Sequence, residues 1–370
     1  MTRRVLLVAI PAVGHTVALG SIGAELVARG HEVAWACPLE HPLLPSGAVR
    51  FPVGTLSSEL ALGRTSSVRY LFGVALPGLA RVMLPGVEAA IAQFSPDVLV
   101  VEASSVAGAI AAQRSGLPWV CVHSAPAVFT ATFDGLHGLN RWIDENLAAP
   151  QREAGITPLP WPLRGSAGTI LTTTPSMLGL NPPVDRDHLL LGPMMDHRSS
   201  GATGPGGHAI VSLGTVVAGA HAGLLARAVA AAAARGPVRA AGPADLDWRA
   251  AGAGTGADVE VLHWLPLPDL LDGASLLVGH GGHNTVIEAL WHGVPALLAP
   301  VVTDQPLVAA RVVALGAGLR VPLDASFEVL RGAVDRLLDD DRFRASAAAL
   351  KAELRAAGGT AAAADVVEAA

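Results

Sequence analysis

Short runs that are apolar at nearly every position alternate along this chain with longer stretches whose apolar residues recur every three or four positions. VLLVAI (5 to 10), HEVAWAC (31 to 37), DVLVVE (97 to 102) and PWVCVHS (118 to 124) are of the first kind; 16 to 29 and SVAGAIAAQRSG are of the second. A strand apolar on both faces belongs inside a parallel sheet with helices on each side, so the pattern predicts an α/β fold. HLLLGP (188 to 193) closes this first series, and MDHRSSGATGPGGH after it has a linker's composition. The alternation then restarts with AIVSLGT, an Ala-rich helix, PVRAAG, VEVLHW, SLLVGH, a helix over 283–292, PALLAP, a helix over 305–315 and GLRVP. That is a second doubly wound unit. The expected organisation is a Rossmann-like domain over 1–196, a linker over 197–207, a second Rossmann-like domain over 208–355 and a helical tail over 356–370, with the two domains facing across a cleft. Segments 38–75 and 125–168 are rich in Pro, Gly, Ser and aromatics, resist assignment and read as functional loops.

Composition narrows the chemistry. A chain of 370 residues, 51% hydrophobic and 15% charged, can bury two cores. With 25 Lys and Arg against 31 Asp and Glu and no basic cluster, nucleic acid is not an expected partner. Lys351 is the single lysine and lies in a helical pattern near the C-terminus, which sets aside P-loop hydrolysis, Schiff-base chemistry and pyridoxal phosphate. Cys37 and Cys121 sit in apolar strand patterns and read as buried hydrophobes, consistent with a cytoplasmic location. The opening MTRRVLLVAI has the charge and apolarity of a secretory signal, but a helix pattern and a second strand follow it, so it reads as the first βα unit. No apolar stretch free of Gly, Pro and charge is long enough to span a bilayer.

Chemistry concentrates in GHGGHNTVIEALWHGVPALLAPVVTDQP, residues 279 to 306. A buried strand runs out into His280, Gly281 and Gly282, and a helix begins at about His283. Glycines there let an anion approach the backbone N–H groups of the helix N-terminus. His280 is placed to donate a further hydrogen bond, with Asn284 and Thr285 to cap the helix and contact phosphates. Glu288, one turn beyond Asn284 on the same face, could accept both hydroxyls of a ribose. A glycine-bearing turn with a satisfied histidine is the plainer alternative.

On these residues the stretch resembles the donor-binding signature of nucleotide-sugar-dependent glycosyltransferases of family 1, the GT-B enzymes that include plant and bacterial antibiotic glycosyltransferases. His280, Gly282, Asn284, Glu288, Gly293, Pro295, Pro300, Asp304 and Gln305 fall in the family's register. The resemblance implies that Asp304 and Gln305 contact the sugar. It implies also that Trp264, in HWLPLPDLL, stacks on the base while the Leu265 backbone reads its edge, and that Thr215, in SLGT, lies near the phosphates. HLLLGPM resembles the end of the family's N-terminal domain. His283 stands where the family often has Trp or a small residue, and nothing in the sequence explains it.

A base is expected in the first domain. His15 lies in PAVGHTVAL at the start of the first helix, where imidazolium is disfavoured, and Glu102 ends another strand and could orient it. Both match the family's dyad by position, with two departures: Thr16, Val17 and Ala18 replace a common VNP, and Glu102 replaces the commoner Asp. The implied reaction is an inverting, metal-independent displacement at the anomeric carbon of a UDP- or dTDP-sugar, with no cofactor. The acceptor would be a hydrophobic secondary metabolite, with Phe72, Phe129 and Trp142, and with them Tyr70 and Phe133, as candidate lining; a homodimer is compatible with the sequence. DRD at 185–187 and DLD at 245–247 have the letters of a metal-dependent enzyme but read as turns, His280 and His283 lack neighbouring ligands, and GAGTG at 252–256 precedes a strand, so metal and nicotinamide enzymes fit poorly. A nucleotide-sugar epimerase and a catalytically silent nucleotide-sugar binding protein remain the alternatives on this fold.

Overall fold

The computed structural model describes residues 1–38, 48–54, 68–125, 137–179, 188–195, 207–214, 221–242, 258–262, 267–302 and 304–370. The chain divides into two compact units, Met1–Asp196 with Ala357–Ala370, and His197–Ala356. The tail therefore folds with the first unit.

In the first unit, strands β1 (Arg4–Val8), β2 (Glu32–Ala36), β3 (Val49–Phe51), β4 (Val98–Glu102), β5 (Trp119–His123), β6 (Thr169–Leu171) and β7 (His188–Leu190) pair in parallel in the order β3-β2-β1-β4-β5-β6-β7. The alternation of side chains splits each strand between two cores. Val5, Leu7, Val98, Val100, Val120 and Val122 face Leu19, Ile22 and Leu26 of helix α1 (Val13–Ala28), together with Ala363, Ala364 and Val367 near the C-terminus. Leu6, Val8, Leu99, Val101 and Cys121 face the other way. There they meet α2 (Leu76–Phe94), whose Leu76, Leu79, Ala80, Met83, Val87, Ala90 and Phe94 repeat at helical spacing, as well as α3 (Val106–Ser115) and α4 (His137–Glu153).

Two of these elements correct the reading of 38–75 and 125–168 as loops: the helical run containing α2 begins at Val68, and α4 fills the middle of the second segment. Proline masks both. Pro77, Pro85 and Pro150 all lie inside helical runs, Pro77 just after the π-helical turn Leu71–Ala75. Val68–Phe94 is, among the described residues, the helix long and apolar enough by length and hydropathy to cross a membrane. It carries Arg69 and Arg81 and buries its apolar stripe in the core.

In the second unit, β8 (Ala209–Ser212), β9 (Val238–Ala241), β10 (Val259–Leu262), β11 (Leu276–Gly279), β12 (Ala296–Leu298) and β13 (Gly318–Arg320) form a parallel sheet in the order β10-β9-β8-β11-β12-β13. Helices α5 (Ala222–Ala233), α6 (His283–His292), α7 (Gln305–Ala314), α8 (Phe327–Asp339) and α9 (Asp341–Ala356) accompany it. Both sheets reverse direction of strand order at one point, between β1 and β4 in the first unit and between β8 and β11 in the second. Crevices at such points, beyond the strands' C-terminal ends, are where open α/β sheets bind ligands.

α10 (Gly359–Ala369) packs against α1. Arg29 bonds Glu25 at 2.8 Å, Asp365 at 2.6 Å and Glu368 at 3.1 Å, and His31 Nε2 lies 2.8 Å from Glu368.

Candidate active site

Glu102 is the last residue of β4, and period-two alternation decides where it points. Positions 98 and 100 face α1, so 102 does too. His15 sits in the first turn of α1, which starts behind Ala12 with no side-chain cap. The two meet: His15 Nδ1 lies 2.7 Å from Glu102 Oε1. Glu102 is 1% exposed, whereas the His15 side chain is 31% exposed. Oε2 of Glu102 accepts the Ser104 backbone N–H at 2.9 Å, and Ser124 Oγ donates to Oε1 at 3.0 Å. With a carboxylate oxygen against Nδ1, the proton of the neutral ring belongs there, which leaves Nε2 as an acceptor. Ser104 and Ser124 were not legible as site residues. Ser124 could have been found by extending the alternation of 120 and 122 by one step.

His123, its neighbour, falls on the opposite face with Cys121. Its Nε2 donates to the Leu163 carbonyl at 2.7 Å, and burial lowers it to about 4, so it stays neutral and apart from the dyad. Cys37 and Cys121 are free and buried, as expected; burial, with the nearby charge of Glu102, pushes the Cys121 thiol up.

Among the described residues, two glycine turns of the second unit meet at its own switch point. β8 runs into Ser212-Leu213-Gly214 and β11 into His280-Gly281-Gly282, with Ser212 and Gly279 in register. The His280 ring is wedged between the two glycine turns. A Cβ on Gly214, which has φ +73, would come within 2.8 Å of its Cε1, and one on Gly282 within 2.5 Å of its Nε2. The ring hydrogen-bonds the Ser212 backbone, and Nδ1 is buried with no partner among the described residues. Burial lowers His280 below the ordinary histidine range, against the opposing charge of Asp304. The ring thus spaces the two turns, a place the sequence did not suggest.

α6 starts at His283 behind Gly282, and no side chain caps it. Backbone N–H groups of that first turn are the donors a phosphate would use. Asn284, Thr285 and Glu288 are half-buried along it, and burial pushes Glu288 up to about 7. His283 is 7% exposed. Lys351 Nζ lies 3.5 Å from the His292 carbonyl at the other end of α6, where a cation suits the helix dipole. The lone lysine thus has a structural place.

Asp304 precedes α7, close enough for His280 to feel its charge. Gln305 is 7% exposed, and its Oε1 accepts the N–H groups of Val301 at 2.9 Å and Val302 at 3.0 Å. It ties its own loop, and only its NH2 remains to offer a ligand. Of the acceptor candidates, Phe72 is 7% exposed and packs edge-on to Trp161 at 5.6 Å, inside the first core. Trp142 is half-buried against Gly73. Thr215, Trp264, Leu265, Phe129 and Phe133 lie outside the described residues.

Comparison with known proteins shows what the fold and the second unit resemble. The family model for the C-terminal domain of erythromycin biosynthesis protein CIII-like proteins matches residues 250–369. Demethyllactenocin mycarosyltransferase of Streptomyces fradiae is 41% identical over 112 residues, 30% of this chain and 24% of that protein. The chain therefore aligns with about a quarter of the length of that relative. Among solved structures, the glycotransferase of kitacinnamycin superposes with TM-score 0.81 and 26% identity over 100% of this chain and 99% of that one. Glycosyltransferase VinC in complex with dTDP gives TM-score 0.73 and 23% identity over 99% of each. Two parallel-sheet domains of this topology make the fold GT-B. Over residues 250–369 the chain matches that C-terminal-domain family, and its fold is that of solved antibiotic glycosyltransferases.

Proposed function

We propose that the protein transfers a sugar from a dTDP- or UDP-sugar to a hydroxyl of a hydrophobic natural product, inverting the anomeric centre without a metal ion. The observation that carries this reading is the His15–Glu102 pair, a partly exposed imidazole held at 2.7 Å by a buried carboxylate. His15 Nε2 takes the acceptor's hydroxyl proton, Glu102 steadies the imidazolium that forms, and the hydroxyl attacks opposite the departing nucleoside diphosphate. In the second unit, the N-terminus of α6 meets the diphosphate charge, and Glu288 accepts the ribose hydroxyls. Asp304 and the Gln305 NH2 hold the sugar, and His280 keeps the glycine turns in place around the phosphates. A pure nucleotide-sugar binding protein needs no base and no buried carboxylate behind it, so the dyad favours transfer. The dTDP held by VinC favours thymine over uracil as the base. The two free cysteines suit a reducing cytoplasm.

The donor half is tested by incubating the protein with a panel of dTDP- and UDP-sugars and following the melting temperature. A rise with dTDP-sugars is expected to exceed that with UDP-sugars. No rise with any nucleotide sugar would overturn the donor assignment.

A further inference from the structure

We propose that Ser124 is a positioning residue of the dyad, a hydroxyl clamp that holds Glu102 and so keeps the His15 proton on Nδ1; the proposal rests on the reading of His15 as the base. The sheet places it there. β4 and β5 pair with Glu102 opposite Val122, so the position two beyond Val122 lies on the same face as Glu102 and just past it. Ser124 is 2% exposed.

Three atoms then meet in a triangle. His15 Nδ1 is 2.7 Å from Glu102 Oε1, Ser124 Oγ is 3.0 Å from the same oxygen, and Oγ and Nδ1 are 3.2 Å apart. The triangle holds two protons, one on nitrogen and one on the hydroxyl. Were the hydroxyl to donate to Nδ1, the bare nitrogen would turn its lone pair on a carboxylate oxygen at 2.7 Å, which is repulsive. Both protons therefore point at Oε1, and Nε2 is the unprotonated ring nitrogen. Ser104 closes the arrangement from the other side, its backbone N–H on Oε2 at 2.9 Å and its Oγ 3.5 Å from Nδ1.

Glu102 is thus anchored at both oxygens by groups other than His15. A carboxylate fixed in plane and rotation presents one acceptor direction, and His15, being partly exposed on a helix start, takes its orientation from it. Loss of the Ser124 hydroxyl frees Oε1 to rotate away, and the ring can then adopt the tautomer with its proton on Nε2, which cannot accept from a substrate.

The test is a 15N-histidine correlation spectrum of the protein and of its Ser124→Ala and Ser124→Thr variants, with the His15 signal identified by its loss in His15→Ala. The wild type is expected to show the Nδ1–H tautomer at neutral pH, Ser124→Ala a mixture with the Nε2–H form, and Ser124→Thr the wild-type pattern. In turnover, Ser124→Ala should lower kcat about tenfold with donor KM unchanged, and Ser124→Thr should restore it. A wild-type tautomer in Ser124→Ala overturns the clamp. So does an unchanged kcat with a raised donor KM, which would make Ser124 a sugar contact. A shifted tautomer in Ser124→Ala beside undiminished transfer by His15→Ala would uphold the clamp and overturn the base.

Discussion

Burial pushes Glu288 up to about 7, from an ordinary carboxyl value of 4.5. An acid raised in this way binds more protons folded than unfolded. It therefore contributes most stability below the ordinary carboxyl value, and that contribution is lost as pH rises from there through 7. In the proposed function its ionised form is also the one that would accept two ribose hydroxyls. Glu288→Gln should accordingly raise the melting temperature of the nucleotide-free protein at pH 8, change it little at pH 5, and weaken nucleotide binding by about tenfold or more. Differential scanning fluorimetry and calorimetric titration at the two pH values check both halves. Equal melting at pH 8 with undiminished affinity would place Glu288 outside the ribose site. Its position was legible, because Asn284 and Glu288 are one helical turn apart. Its raised value was not, since it comes from neighbours distant in sequence that exclude water. The partners of Glu102 were hidden for a related reason: alternation was applied to find strands and not followed past their ends, where Ser124 lies.

At the scale of elements, wholly apolar runs identified the buried strands well, because few other structures tolerate side chains apolar on both faces. Helices interrupted by proline were missed. α4 begins with HGLNRW and contains Pro150, so its apolar spacing is dilute, and only packing against α2 shows which face matters. The loop between β12 and α7 shows an element supported by a residue that also belongs to the candidate site. Gln305 Oε1 holds two backbone N–H groups there. Gln305→Glu keeps both acceptor contacts and removes the NH2, whereas Gln305→Ala removes both functions. The first should melt with the wild type yet lose donor turnover; the second should also destabilise the second unit by about 1–3 kcal/mol, the cost of stranding buried donors. Thermal melts set beside steady-state donor kinetics separate the two. Full turnover in Gln305→Glu would mean that the NH2 does not touch the sugar.

At the scale of the whole molecule, two doubly wound sheets each place their candidate residues at a strand-order switch point. In the first that point joins the His15 turn after β1 to Glu102 at the end of β4; in the second it joins Gly214 after β8 to the His280 turn after β11. The proposed division of labour, base on one unit and donor on the other, rests on which chemistry each switch point carries. The sequence pattern gave this duplication because both halves repeat the same strand and helix rhythm. It did not give the return of the tail to the first unit, where Ala363, Ala364 and Val367 join the core and Arg29 and His31 meet Asp365 and Glu368 across more than three hundred residues of chain. The central claim, that this is a transferase whose base is His15, is tested most directly by nucleoside diphosphate release from the best-binding donor in the presence of a hydrophobic hydroxylated acceptor, for the wild type and His15→Ala, each with its dTDP affinity measured by calorimetry. The account predicts that His15→Ala loses at least about a hundredfold in release rate and binds dTDP as the wild type does; equal release by the two proteins would contradict it.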